Sequence, residues 1–416
     1  MNEFEVPWMS WYGNTTLKLR FPEDWNVKSY KMNDKPNISE SEIDKSFLNP
    51  IGTPRISELA NRKRNTIIAV DDLTRPTQAY RFMPIILEEL KRGGMDDSKI
   101  QIIMATGAHR TMGRRDLIKK LGSEIVDKFA IHNHNPYENL ISLGETSRGT
   151  PLKVNKLFMN SDLKIGVGSV IPHPTAGFSG GGKIVLPGLC GIETLEYSHA
   201  PVLMRRAGGI GTECNEFRTE IEEGAQKAKV DIIINTVVNS LAQTAQVFVG
   251  DPIKAYRVAV NHARQIYATK LPKNLDIAVF NAFPKDTEFT QCCTALNVWS
   301  AYDKPLVKKG GAIVIISASP EGRGLHFLTD RGMRLYRHFR VYAEFRHITR
   351  NRRFIFFCPN VSRASFYDYF PKKALLLKRW EDVIEKLVTY YGSNANVGIF
   401  PCGSLQLDNR LMTNNR

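Results

Sequence analysis

The sequence has few cysteines, no long apolar run and no basic leader segment. Its six cysteines include no C-x-x-C pair, and Cys292 and Cys293 are neighbours, so we expect reduced thiols rather than a disulfide scaffold or a structural zinc module. No apolar stretch approaches the roughly 18 residues that cross a bilayer. Glu3 and Glu5 stand where a secretory signal carries basic residues, so we expect a cytoplasmic protein with no membrane span.

Acidic residues are too few to balance the basic ones. The 57 Lys and Arg residues against 42 Asp and Glu residues give a net charge of +15, which favours anionic partners such as phosphates, carboxylates or nucleic acid. Residues 321–353 are the most basic part, and within them Leu335, Phe339, Tyr342 and Arg346 repeat at helical spacing. This spacing predicts an amphipathic helix with a solvated basic side. Contact with another subunit or with a polyanion is the alternative.

Short apolar, β-branched runs alternate with helical patterns, which is typical of an α/β protein with parallel sheets. We predict a larger N-terminal parallel-sheet domain over residues 1–270, a hinge at 271–274 and a smaller C-terminal α/β domain over 275–416. The predicted strands are Thr66–Asp72, Ile100–Thr106, Lys164–Val170, Asp231–Asn239, Asp276–Asn281, Ala312–Ala318, Phe354–Cys358 and Val397–Phe400. The predicted helices are Gln78–Arg92, Arg114–Leu121, Pro252–Lys270, Phe289–Tyr302 and Glu381–Tyr391.

Three segments that follow predicted strands carry reactive side chains. Ligands in open α/β sheets bind beyond the carboxyl ends of strands. There the sequence places Arg75, whose planar fork suits a carboxylate or phosphate, and the histidines His109 and His173. Each has a structural alternative, since Asp72 and Thr74 can simply cap a helix and a histidine at a strand end is commonly a hydrogen-bonded loop residue. Because all three lie at one edge of the predicted sheet, the pattern favours a functional role over a purely structural one.

A glycine-rich segment, Ala176–Gly188, contains Lys183. Its glycines allow the backbone to approach a ligand, and the lysine offers a cation or an amine nucleophile. The segment matches the first part of a phosphate loop, but Ile184 replaces the Mg²⁺-binding Ser or Thr, and Pro187 would interrupt the helix that such a loop opens. A structural turn with an exposed lysine is the other alternative. His199 follows 16 residues later, too far from the other histidines for an H-E-x-x-H motif.

Taken together, these segments resemble the nickel-dependent lactate racemase family. The matching motifs are D-D-L-T-R-P at 71–76, A-T-G-A-H-R at 105–110, H-P-T-A-G-F-S-G-G-G-K-I-V-L-P-G at 173–188 and E-T-L-E-Y-S-H at 193–199. Their order and separation also fit, and the similarity extends over both predicted domains. The long third motif is the most specific of the four.

The resemblance implies a nickel-pincer nucleotide, a pyridinium mononucleotide whose thioamide is tethered to a lysine. By this resemblance Lys183 is the tether, His199 is the nickel ligand, and His109 and His173 are the general acid and base. The other residues expected to bind the cofactor are Asp72, Thr74, Arg75, Ser179, Gly180 and Gly181. The N-terminal domain would then be the catalytic, cofactor-binding one, with the active site in the cleft between the domains. Cofactor-synthesis enzymes are implied as partners.

The expected substrate is a small 2-hydroxy acid whose C2 is inverted by hydride transfer, bound by Arg75, Gln291 and Thr294. Thr294 stands where the lactate enzymes of the family carry a substrate-contacting lysine, so we predict a substrate larger than lactate, such as a polyhydroxy acid. One alternative keeps the fold but uses NAD and another metal, although no G-x-G-x-x-G follows a strand. A basic α/β protein that binds nucleotides or nucleic acid is the other alternative.

Overall fold

Two six-stranded sheets organise the part of the chain that the computed structural model describes, which is residues 2–200, 209–300, 305–336 and 345–412. The first sheet is parallel except at one edge, where Thr244–Gly250 runs antiparallel to its neighbour. Its strands, in spatial order, are Thr244–Gly250, Ile232–Val238, Leu163–Ser169, Thr66–Asp71, Ile100–Ala105 and Ala130–Asn133. Helices and loops cover both faces, so the central strands are almost continuously apolar and buried.

The second sheet is parallel throughout. In spatial order its strands are Leu375–Leu377, Arg353–Phe357, Val307–Ile316, Leu275–Asn281, Asn396–Phe400 and Asn26–Ser29. Apolar side chains pack on both of its faces. The predicted α/β class with parallel sheets is confirmed, and all eight predicted strands overlap observed ones.

The N-terminal segment packs with the second sheet, not the first. Asn26–Ser29 pairs with Asn396–Phe400, and the hairpin before it places Trp8 in a stack on Phe357 with ring centroids 5.8 Å apart. The predicted division at residues 1–270 and 275–416 therefore differs from the strand pairing at its N-terminal end. Strand pairing between residues about 370 positions apart leaves no local signal in the sequence.

The remaining elements are short hairpins and the helices that cover the sheets. The paired short strands are Asn2–Trp8 with Thr15–Phe21, Leu140–Glu145 with Pro151–Asn155, Pro172–His173 with Gly177–Phe178, and Ala268–Thr269 with Leu407–Asp408. The α-helices are Glu40–Leu48, Ile56–Ala60, Met83–Arg92, Arg114–Leu121, Ser123–Lys128, Lys156–Met159, Ile192–Ser198, Glu216–Lys227, Lys254–Tyr267, Asn297–Ser300, Arg346–Thr349, Arg363–Tyr369 and Trp380–Tyr391. The 3₁₀ helices are Ala79–Arg81, Asp97–Lys99, Gly181–Ile184, Phe289–Leu296 and Asn409–Met412.

Two predicted helices differ from the structure. The segment predicted as one helix over Phe289–Tyr302 forms a 3₁₀ helix followed by a short α-helix. The N–H groups of Phe289 and Thr290 at its start donate to the carbonyls of Gly322 and Arg323 in a distant loop. In the basic segment, Leu335 lies in a turn rather than in a helix, and Arg346 begins a helix of four residues. Phe339 and Tyr342 lie outside the described residues.

All six cysteines are free thiols, as expected. Among the described residues, no helix combines the length and apolar character that spanning a bilayer requires. The cytoplasmic location stays a prediction.

Asp286 anchors the N-terminal hairpin to the second sheet. Its fully buried carboxylate accepts hydrogen bonds from the backbone N–H groups of Met9 at 2.9 Å and Ser10 at 3.1 Å. Burial raises the pKa of this carboxyl to about 6, although the two N–H donors oppose the shift. The native state therefore holds the Asp286 proton more tightly than the unfolded chain does.

This anchor predicts a specific pH dependence of stability. Because the native pKa lies above the unfolded value of about 4, the contribution of Asp286 to the free energy of unfolding is complete below pH 4 and is lost as the pH rises through 6. Relative to Asp286→Asn, whose carboxamide does not titrate, the wild-type free energy of unfolding should fall by up to about 3 kcal/mol over this window. Urea unfolding at several pH values measures the difference, and a constant difference would contradict the assignment.

Candidate functional site

A cavity of about 1060 Å³ lies where the carboxyl ends of the two sheets face each other. Residues predicted for the site from separate parts of the sequence converge on it. Those that line it are Asp72, Arg75, His109, His173, Ser179, Gly180, Gly181, Lys183, His199, Gln291 and Thr294. Thr74 is not part of the lining but contacts three residues that are, Asp72, Arg75 and His109. The structure therefore brings the predicted set together in one place.

Asp72 orients His109. The Asp72 carboxylate accepts from the Thr74 backbone N–H at 2.8 Å and from the Thr74 hydroxyl at 2.5 Å, and its other oxygen lies 2.7 Å from His109 Nδ1. Burial acts to raise the Asp72 pKa, but His109, Arg75 and the Thr74 hydroxyl outweigh it and hold the pKa below its usual range. An ionised carboxylate only accepts, so His109 carries its proton on Nδ1 and presents Nε2 as the basic nitrogen.

A buried lysine fixes the turn that carries these side chains. Lys120, on the helix Arg114–Leu121, donates to the backbone carbonyls of Asp72 at 2.9 Å and Arg75 at 3.1 Å, and its Nζ lies 2.7 Å from the Asp71 carboxylate. Its side chain is fully buried. The sequence analysis did not select Lys120, because nothing in an amphipathic helix separates a buried lysine from solvated ones.

His173 and Lys183 form a second pair. His173 Nδ1 accepts from the backbone N–H groups of Thr175 at 3.4 Å and Ala176 at 3.2 Å, so the neutral ring carries its proton on Nε2. That Nε2 lies 3.1 Å from Lys183 Nζ. An N–H that points at an amine requires a lone pair on that amine. The geometry therefore fits an uncharged Lys183, held by a hydrogen bond from His173.

Electrostatics favour the same state of the pair. Burial, followed by the nearby charges of Arg75, Arg218 and Lys285, lowers the pKa of Lys183 well below its usual range. Burial and then Lys183 likewise lower the pKa of His173. Lys183 is 8% exposed, so the alternative of a turn with an exposed lysine is wrong.

The glycines before Lys183 serve packing as well as backbone conformation. Gly180 and Gly181 have φ of +82° and +58°, in the left-handed region. A Cβ on Gly180 would lie 2.6 Å from Val170 Cγ2, and one on Gly181 would lie 2.9 Å from the ring of Tyr256. Only four residues, Gly181–Ile184, then form a 3₁₀ helix, which disagrees with the long helix of a phosphate loop. Close contact with the protein therefore explains these two glycines, and Lys183 reaches the cavity from the turn that they form.

Ser179 and Arg218 hold this loop in place. The Ser179 hydroxyl donates to the Ser169 carbonyl at 2.6 Å and accepts from the Ile171 N–H at 3.1 Å. The fully buried Arg218 guanidinium donates to the carbonyls of Phe178 and Gly180 and lies 4.0 Å from the centroid of the Tyr256 ring. A buried guanidinium bound to loop carbonyls adds positive potential behind Lys183.

His199 ends the helix Ile192–Ser198. Its Nδ1 lies 2.9 Å from the Leu195 carbonyl, which can only accept, so Nδ1 is protonated and Nε2 carries the lone pair of the neutral ring. Its ring packs edge-on against Phe217, with centroids 5.8 Å apart. Within the described ranges, no three His, Cys, Asp or Glu side chains converge as a metal cluster.

The second sheet contributes a mostly neutral polar wall and one lysine. The wall is the 3₁₀ helix Phe289–Leu296, from which Gln291 and Thr294 reach the cavity. Lys285, which follows the strand Leu275–Asn281, also lines the cavity and is 2% exposed. Burial, and then the charge of Arg75, lowers the pKa of Lys285 well below its usual range.

The sequence analysis missed several residues that line the cavity, among them Lys285, Asn235 and His326. Lys285 follows a predicted strand, so the rule that selected Arg75 would have found it. Asn235, a polar residue within an apolar strand, accepts from the Gly181 N–H at 3.0 Å and keeps its buried Nδ2 without a hydrogen-bond partner among the described residues. His326 packs edge-on to His109 at 5.4 Å through a bridge between distant segments, which leaves no local sequence signal.

The lowered pKa values of Lys183 and Lys285 predict that their amines react faster than an exposed lysine at neutral pH. Cyanate reacts with uncharged amines and is small enough to enter the cavity, so Lys183 and Lys285 should be carbamylated at neutral pH faster than the exposed Lys18. Peptide mapping by mass spectrometry over a pH series measures each rate. In Arg75→Gln the loss of a nearby cation should raise both pKa values and slow both reactions at pH 7. Equal pH profiles for the buried and exposed lysines would contradict the assignment.

Comparison with known proteins adds an independent line of evidence. Residues 12–211 match the family model described as the lactate racemase N-terminal domain. The chain is 30% identical over 336 residues to a lactate racemase of Thermoanaerobacterium thermosaccharolyticum, covering 78% of this chain and 76% of that protein. It is 29% identical over 295 residues to a lactate racemase of Lactiplantibacillus plantarum, covering 69% and 68%.

Solved structures show the same fold. The lactate racemase apoprotein from Thermoanaerobacterium thermosaccharolyticum superposes with a TM-score of 0.78 at 23% identity, over 98% of this chain and 100% of that one. A protein from Thermotoga maritima superposes with a TM-score of 0.66 at 18% identity, over 90% and 99%. The fold is therefore shared over nearly the whole chain.

Proposed function

Because this chain belongs to the lactate racemase family, we propose that it inverts C2 of a 2-hydroxy acid with a nickel-pincer nucleotide tethered to Lys183. Family membership makes it a racemase or epimerase of hydroxy acids and confirms the resemblance drawn from its motifs. The observation that carries the finer proposal is the convergence of His109, His173, Lys183 and His199 on one cavity.

The residues present fit such a cofactor. Lys183 offers an uncharged amine of the kind that forms a covalent tether, and His199 Nε2 offers one metal ligand. Ser169 and Asn235 line the cavity, and their buried Oγ and Nδ2 atoms have no hydrogen-bond partner among the described residues, as expected of groups next to a polar ligand. When bound, the nickel-pincer pyridinium supplies an acceptor for the hydride of C2.

Two histidines handle the proton of the substrate hydroxyl. His109, oriented by Asp72, presents Nε2 as a base, as in other carboxylate–histidine pairs. In the free protein, His173 Nε2 donates to the Lys183 amine. A covalent tether on Lys183 Nζ would remove the basic lone pair of that amine. His173 Nε2 would then be available to the substrate. Inversion requires proton exchange with either enantiomer, and two histidines meet this requirement.

Positive charge in the cavity suits the carboxylate of the substrate. Arg75 lines the cavity with a guanidinium whose Nη1 donates to the Thr74 hydroxyl at 2.7 Å, which holds the fork in place. Lys285 presents an amine from the opposite sheet, and a carboxylate bound beside it would favour its charged form. Thr294, in place of a lysine, leaves the far wall neutral, which supports a substrate larger than lactate.

The alternatives gain no support from the observed site. The NAD hypothesis requires a dinucleotide site at a strand end, whereas the turn after Thr66–Asp71 is filled by Asp72, Thr74 and Lys120. The nucleic-acid hypothesis rests on the basic segment 321–353, part of which lies outside the described residues. Cofactor-synthesis enzymes belong to this proposal as the partners that must supply the nucleotide.

The fate of the C2 hydrogen tests this function. With protein produced together with cofactor-synthesis enzymes, a 2-hydroxy acid carrying deuterium at C2 should react more slowly and give the opposite configuration with the label retained, because hydride return does not exchange with water. Chiral chromatography with mass detection measures both configuration and label.

Matched variants separate proton transfer from hydride transfer. His109→Asn and His173→Asn should lower kcat by about 10²–10⁴, the usual effect of losing an acid–base group, while any product still retains the label. Rapid loss of deuterium to solvent in the wild type would indicate carbanion chemistry and overturn the proposal.

A further inference from the structure

A residue on the second-sheet side of the cavity, Asn297, has a fully buried side-chain amide without a hydrogen-bond partner among the described residues. Asn297 is 1% exposed and lines the cavity. Neither its Oδ1 nor its Nδ2 has a hydrogen-bond partner among the described residues. Burying both halves of an amide without hydrogen bonds is unfavourable, and such groups in native proteins commonly bind a ligand or an ordered water.

Asn297 caps the 3₁₀ helix Phe289–Leu296, and its backbone N–H donates to the Thr294 carbonyl, so it continues the 3₁₀ spacing of two other polar residues. Residues three apart superimpose along a 3₁₀ helix, so Gln291, Thr294 and Asn297 share one face. All three line the cavity. An α-helix, as the sequence predicted, would have spread them over about 120°. The wall opposite Lys183 therefore carries a continuous neutral polar stripe.

Hydrogen bonding within the stripe defines what it can bind. The Thr294 hydroxyl donates to the Gln291 carbonyl at 2.7 Å, so it faces the cavity only as an acceptor. Asn297 offers one acceptor and two donor hydrogens. A carboxylate only accepts hydrogen bonds, so it would leave the Thr294 oxygen and Asn297 Oδ1 without a donor. A methyl group would leave these two acceptors and Asn297 Nδ2 without partners. A hydroxyl both donates and accepts, and it matches the stripe.

We propose that Asn297 binds a hydroxyl of the substrate chain beyond C2 and is a specificity-determining residue for polyhydroxy acids. The proposal rests on the function inferred above. Arg75 and Lys285 would hold the carboxylate, and the carbon chain would extend toward the stripe. The Asn297 side-chain amide would then form its hydrogen bonds with the bound substrate.

Matched substrate pairs test this assignment. The holoenzyme is assayed on glycerate and lactate, and on 2,3,4-trihydroxybutanoate and 2-hydroxybutanoate, whose members differ only in hydroxyls beyond C2. Asn297→Leu should lower kcat/KM about tenfold on the hydroxylated acids and by less than about twofold on the deoxy acids, because only the former lose a hydrogen bond. Thr294→Val should act in the same direction.

A stability measurement separates recognition from structure. Because its amide has no hydrogen-bond partner within the described part of the chain, Asn297→Leu should leave Tm of the cofactor-free protein unchanged or higher. The control is Asn281→Leu, since Asn281 is equally buried but its amide donates to the Pro7 carbonyl at 2.6 Å and accepts from the Phe283 N–H at 3.2 Å. This variant should lower Tm. Asn297→Ala replaces the leucine variant if that chain does not fold.

Each outcome decides between the alternatives. If wild-type holoenzyme inverts these acids but Asn297→Leu affects both members of each pair equally, the proposal is wrong and the amide binds only water. If Asn297→Leu lowers Tm as Asn281→Leu does, Asn297 is structural. If the loaded wild type inverts none of the acids, the proposed function itself fails, and this proposal with it.

Discussion

The cost of burying positive charge controls the chemistry of this cavity. Lys183 lies within the field of Arg75, Arg218 and Lys285, and burial removes the water that would screen them. The ammonium form is therefore the unfavourable one, and the hydrogen bond from His173 fits an amine. An amine can be acylated, whereas an ammonium cannot. The same accumulation of charge suits an anion, so in the proposed function substrate binding and tether formation would depend on one electrostatic arrangement.

The two sides of the cavity differ in how their polar side chains are hydrogen-bonded. On the first sheet, reactive side chains have supporting partners: Asp72 orients His109, and Lys120 fixes the turn that carries Asp72 and Arg75. On the second sheet, Thr294 and Asn297 form a neutral wall whose hydrogen-bonding groups are partly unsatisfied. Rigid support suits groups that perform chemistry, and unsatisfied groups suit recognition of a ligand that completes them.

Much of the site could be predicted from the sequence because parallel strands place their carboxyl ends at one edge. Arg75, His109 and His173 follow three strands that lie side by side in the first sheet. The carboxyl ends of such strands meet at one edge, which predicts that these residues lie close together. The pairing of Asn26–Ser29 in the second sheet and the contact of His326 with His109 depend on long-range packing, which the local pattern does not contain. The 3₁₀ form of Phe289–Leu296 was also missed, and the hydrogen bonds from its first N–H groups to a distant loop are long-range as well.

The most direct test of this account is a crystal structure of active protein produced together with cofactor-synthesis enzymes, with diffraction data collected on both sides of the nickel absorption edge. The account predicts one anomalous peak bound to His199 Nε2, with electron density continuous from the bound nucleotide to Lys183 Nζ. Active protein with no nickel peak, or with density that ends before Lys183, would contradict it.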